Sequence, residues 1–228
     1  MKKVIAVIIA LMCCQSLMGA DITVKHVKGK AEIQSGVSEG WVKAKTGALL
    51  SPESTIKTGR KSSLTIVAEG KRFVVPELTL VDVGDLRQMP QEELLLKLAM
   101  ADVRVVPPRG ESDGTTIPNT TIVHGKDMAA PEIDAKNGES LNEMEFRGTE
   151  LLYKYGFYAT CILRAKETML YYPELKSRFG FRYMIAKAFE RMRLKGEALG
   201  EYVSLTKERL SSSQRKRVEN NIRLLKQQ

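Results

Sequence analysis

Histidine, cysteine and tryptophan are scarce in these 228 residues: two histidines, three cysteines and one tryptophan. His26 and His124 fall in separate parts of the chain, and no His-Cys spacing of a zinc site is present. Asp82, Asp85 and Asp102 are scattered, and there is no glycine-rich phosphate loop, since Gly196 and Gly200 lie within a helical pattern. The long apolar run is Val4 to Cys14, eleven residues, short of the about 20 that a helix needs to cross a bilayer core. These absences argue against an enzyme, a cofactor or a metal, and against a transmembrane helix in the mature chain. They direct attention to binding.

The apolar run follows Lys2 and Lys3 and gives way to Gly19-Ala20 just before Asp21. Positive start, apolar middle and small-residue end are the pattern of a secretory signal peptide, read here as residues 1–20 with cleavage after Ala20. The expected product is exported, to the periplasm or cell envelope. Cys13 and Cys14 leave with the leader, so only Cys161 remains and no intramolecular disulfide can form. A lipoprotein acylated on Cys13 or Cys14 is the competing reading. Leu11 suits it, but the preceding residue should be Gly, Ala or Ser, and Met12 or Cys13 stands there.

Charge is unevenly spread. Residues 21–141 hold 16 Lys/Arg against 17 Asp/Glu, whereas residues 142–228 hold 18 against 10. In the cytoplasm such a basic half would suggest nucleic acid, a partner an exported chain rarely meets. An acidic envelope protein or peptide, peptidoglycan or another anionic polymer is the expected counterpart.

Between Ile22 and Val83, short period-two runs are broken by Gly, Pro and Ser, the pattern of a small all-β unit. Ile22–Val27 and Lys30–Gln34, on either side of Lys28-Gly29, read as a hairpin. Trp41 is expected to open the next strand and to plug the core rather than serve as a ligand platform. Leu64–Ala68 and Arg72–Val75 flank Glu69-Gly70, a second hairpin with its positive-φ residue supplied. Seven or eight such strands fit a sandwich or rolled barrel, and leave no room for the crossover helices of a parallel sheet. A short amphipathic helix over Gln91–Ala101 and one more strand at Val103–Val106 complete the expected unit, 21–108.

The order Trp41, Gly47 with Leu50, Thr58-Gly59 with Ser62, strand, Glu69-Gly70 and strand resembles the FecR domain of bacterial envelope proteins. The resemblance implies an antiparallel β domain and an envelope location. FecR regulators that signal to a sigma factor keep an N-terminal cytoplasmic segment and a spanning helix, which sets that role apart from a chain with only a cleavable leader.

Residues 109–141 are rich in Gly, Pro, Asn, Thr, Asp and Ser and are expected to be a flexible linker. From residue 142 onward the pattern is helical. Leu152, Tyr153, Gly156, Tyr158, Cys161 and Pro173 resemble one tetratricopeptide repeat, and Ile185, Ala186, Phe189, Ala198, Tyr202 and Leu205 a second. Cys161 and Ala198 stand at the small-residue packing site, and Ser211–Ser213 should cap a last helix that closes the stack. The resemblance implies a groove lined by the first helix of each unit, placing Phe146, Glu150, Tyr153 and Lys154 beside Tyr183, Lys187, Glu190 and Arg191. Of these, Tyr153, Lys154, Tyr183, Lys187 and Arg191 are the candidate partner-binding residues. A catalytic Cys161–His124 pair is the enzymatic alternative, and a packed thiol between helices the plainer one.

Overall fold

Among the described residues, eight short strands build two antiparallel sheets in the first part of the chain: β1 Ile22–Lys28, β2 Ala31–Ser35, β3 Val42–Lys43, β4 Leu49–Leu50, β5 Ser54–Thr58, β6 Ser63–Ala68, β7 Lys71–Val75 and β8 Leu80–Asp82. The computed structural model describes residues 22–36, 40–68, 70–105 and 140–227, with backbone alone at 102–105. The expected leader, His124 and nearly all of the expected linker lie outside the described residues. One sheet runs β4-β1-β6-β7 and the other β3-β2-β5-β8. Val24, Leu64, Ile66 and Val75 from the first meet Ile33, Ile56 and Val81 from the second in one buried core. Each such side chain contributes about 1.5–3 kcal/mol by leaving water.

Pairing differs from expectation at the first turn. β1 and β2 are not a hairpin; β1 pairs with β4 and β6, while β2 pairs with β3 and β5. Gly29 carries the chain from sheet to sheet at φ 72°, and a Cβ there would lie 2.4 Å from Ser62 Oγ. That hydroxyl accepts the Lys30 N–H at 2.8 Å, so the crossing point is both tight and satisfied. A register shift between Val24 and His26 breaks the alternation of β1 and leaves His26 exposed. The second expected hairpin does form: β6 and β7 pair through Ala68 and Lys71, with Gly70 at φ 73°.

Six α-helices follow among the described residues: α1 Gln91–Val105, α2 Leu141–Lys154, α3 Tyr158–Tyr171, α4 Phe179–Arg191, α5 Lys195–Thr206 and α6 Ser212–Gln227. α1 extends through Val105, where a strand was expected; nothing between Gln91 and Val105 is a Gly or Pro that would stop it. α2 with α3 and α4 with α5 form two antiparallel hairpins. Gly156 makes the first turn at φ 83°, and a 3₁₀ turn over Pro173–Ser177 separates the hairpins. The last helix starts with a reciprocal capping box, in which Ser211 Oγ accepts the Gln214 N–H and Gln214 Oε1 accepts the Ser211 N–H at 2.9 Å. No helix among the described residues is long and apolar enough to cross a membrane.

The β and helical parts share one core, in which Leu151, Leu152, Phe157 and Cys161 are buried with the sheet residues. Phe73 of β7 packs edge-on against Tyr155 at 5.1 Å and tilted against Phe157 at 5.5 Å. α2 approaches β8 so closely at Gly148 that a Cβ would stand 1.9 Å from the Leu80 carbonyl oxygen. The sandwich thus seals one end of the helical stack and α6 the other, where Val218 is buried with Ala186, Tyr202 and Leu205. A helical stack otherwise leaves an apolar face open at each end.

Candidate partner-binding surface

Two polar constellations are ordered by this packing. The first locks the junction. Arg164 of α3 donates from Nε to Asp85 Oδ2 at 2.8 Å and from Nη2 to Asp82 Oδ2 at 2.5 Å. Thr55 Oγ1 donates to the other oxygen of Asp82 at 2.6 Å, and Glu167 stands 3.4 Å from Arg164 Nη1. Burial pushes the Asp85 carboxyl up to about 6, with the Arg164 guanidinium pulling the other way and Asp82 adding repulsion. The space enclosed by Leu80, Asp82, Asp85, Gly148 and Arg164 is about 20 Å³, no more than a water occupies. This is a clasp between the two parts rather than a ligand pocket.

The second constellation lies on α4, α5 and α6. Tyr183 is held there by four partners: it stacks on Phe179 at 5.2 Å, meets Tyr202 edge-on at 5.7 Å, accepts a hydrogen bond from Asn221 Nδ2 at 2.8 Å, and is covered by the Arg217 guanidinium at 4.6 Å. The Arg217 and Asn221 of α6 therefore occupy the face on which a ligand was expected to meet Tyr183. Lys187 is bonded to Glu190, which also accepts the Tyr202 hydroxyl at 2.7 Å. Its charge is spent inside the stack. Tyr153, on α2, packs edge-on against Tyr158 at 5.4 Å and is partly buried between the two main cores. Lys154 lies exposed at the end of α2, 5.9 Å from the Tyr155 ring. Of the groove residues, Phe146 is buried against Phe181, with Arg178 lying over its ring at 3.7 Å.

An open cleft lies just beyond Arg191 in the chain, bordered by residues that sequence reading passed over. Beyond Arg191 the chain turns at Arg193, φ 61°, into Lys195 at the start of α5. Glu190, Arg193, Lys195 and Leu225 of α6 border an open cleft of about 380 Å³. Among the described residues, Arg191, Arg193 and Lys195 form no ion pair, unlike Lys187. Their spacing of two along the chain was visible in the sequence. That Leu225 would fold back beside them was not, because it depends on how α6 packs.

Cys161 is fully buried, its thiol raised far above the ordinary range by desolvation. A thiol so placed packs in the core shared by sheets and helices. Trp41 is a correction of the opposite kind: it stands on the surface, 38% exposed, outside the core it was expected to fill. No protein-family model, curated protein or solved structure matches this chain.

Proposed function

We propose that the protein is an exported, non-enzymatic adaptor of the cell envelope, which holds an acidic peptide segment of a partner on the basic cleft between the α4–α5 turn and α6. The observation that carries this reading is the pair of cations Arg193 and Lys195, without ion-pair partners among the described residues, bordering the cleft with the apolar Leu225. Cations without carboxylate partners, next to an apolar contact, suit carboxylates carried on a chain that also offers a hydrophobic side chain. The leader-like residues 1–20 support export. The order of sequence motifs resembling FecR, from Trp41 to Val75, supports an envelope setting. The small buried residues Cys161 and Ala198, at corresponding places in the two helical hairpins, support a stack of the tetratricopeptide type.

Fluorescence anisotropy with a labelled Glu/Asp-rich peptide containing one leucine tests the cleft. Saturable binding that weakens about tenfold in Arg193→Glu with Lys195→Glu, and weakens steeply with salt, is the expected outcome. Equal affinity of wild type and variant would remove the cleft from the proposal. Export is tested by fractionation and N-terminal sequencing: a periplasmic product beginning at Asp21 is expected, and a cytosolic chain retaining Met1 would overturn it.

A further inference from the structure

The sandwich has two kinds of edge. β7 and β8 lie against the helices, whereas β3 and β4, the opposite outer strands of the two sheets, carry the exposed Val42 and Leu49. Next to β3 is Trp41, the single tryptophan of the chain. The pairings Glu32↔Lys43 and Glu32↔Lys57 place these three side chains in one row across the outer face of the β3-β2-β5-β8 sheet. Contacts confirm the row. Glu32 lies 3.1 Å from the Lys57 ammonium and 3.6 Å from that of Lys30, and Lys57 Nζ stands 4.3 Å from the Trp41 ring centroid. Trp41 is thus held on the same face, and the exposed Lys45 follows two residues beyond Lys43. Neither Lys43 nor Lys45 has a carboxylate partner among the described residues.

From this placement we infer that the outer face of this sheet is a second binding site, for an acidic oligosaccharide, with Trp41 as stacking platform and Lys43 and Lys45 as the carboxylate contacts. An indole fixed on a flat surface with more than a third of it open offers a plane to the C–H face of a sugar ring, and an aromatic left in water is otherwise an unfavourable exposure. Adjacent strands are ~4.8 Å apart, close to the length of one pyranose unit, so successive rings can follow the row from β3 to β5. Glu32 discriminates among anions. A carboxylate in the middle of the row opposes a densely charged polyanion, but tolerates one charge per sugar and can accept a sugar hydroxyl. An extended peptide would instead need a strand edge, and β3 is two residues long.

Because Trp41 is the only indole, its emission reports on this site alone. Titration of the full chain with oligogalacturonate should shift or quench that emission saturably, while a neutral gluco-oligosaccharide of equal length binds about tenfold more weakly or not at all. By calorimetry, Trp41→Ala should abolish binding, and Lys43→Glu with Lys45→Glu should weaken it about tenfold, both with unchanged circular dichroism. Arg193→Glu with Lys195→Glu should leave it unchanged, which separates this site from the helical cleft. No change in emission, equal affinity for the neutral sugar, equal or tighter binding of polyglutamate or polyphosphate, or equal loss in the two charge-reversal variants would each overturn the inference.

Discussion

The backbone N–H of Val74, on the outer strand β7, donates to the hydroxyl of Tyr155, at the end of α2, at 2.8 Å. An outer strand offers unpaired groups to any passing chain, and here a tyrosine from the helical part takes one of them while its ring packs on Phe73. Removing the hydroxyl alone isolates that bond. Tyr155→Phe should lower stability by about 1 kcal/mol in urea denaturation and speed amide exchange at Val74, with the helices unchanged. Unaltered exchange at Val74 would show that the bond does not protect the edge.

Gly148 tests the contact of α2 with β8. Any side chain there meets the Leu80 carbonyl oxygen, and because the Cβ is fixed to the backbone of α2 and the oxygen belongs to that of β8, one element must move. Gly148→Ala would stabilise a free helix by up to about 1 kcal/mol. In this protein it should destabilise by about 1–3 kcal/mol, with raised exchange in β8, measured by thermal denaturation and exchange mass spectrometry. A variant as stable as wild type would refute the close approach.

Asp85 should make the clasp pH-dependent. Its folded carboxyl titrates near 6 against an ordinary 3.8, so the folded state holds the proton more tightly. The resulting increment of stability is complete below about 4 and is lost as pH rises through about 6. That difference corresponds to at most about 3 kcal/mol, less to the extent that Asp85 is solvated. Comparing wild type with Asp85→Asn cancels the carboxylates common to both, including Glu143, held low by Arg178. The Tm difference should move in favour of wild type between pH 7 and pH 4. A flat difference would place Asp85 outside the coupling.

Cys161 should be inert. In a chain beginning at Asp21 it is the single thiol, fully buried in the core shared by sheets and helices. Maleimide labelling followed by mass should show no adduct in the native protein and one after denaturation. Fast native labelling would contradict the packing and reopen a nucleophilic role.

Local chemistry was legible in the order of residues. Period-two runs marked strands, Gly70 and Gly156 marked turns, and Ser211 with Gln214 marked the start of the last helix, because each depends on neighbours within a few positions. Trp41 was misread for a reason of the same kind: its size argues for burial, but β3 is an outer strand of a sheet whose partner order the sequence does not display. The candidate groove residues show the same dependence on distant packing. Tyr183 and Lys187 are on a helix face as expected, yet Arg217, Asn221 and Glu190 reach them first.

Composition and pattern alone therefore determined a β part followed by a basic helical part, together with the turns and caps that bound their elements. Tertiary structure decided that Gly29 crosses between sheets, that Arg164 joins Asp82 and Asp85 across the two parts, and which cations remain unpaired. Turns and caps are set by backbone energies within one or two turns of chain. Ion pairs and exposed edges are set by which distant surfaces meet, and the energy that selects them is the burial of a core shared by both parts.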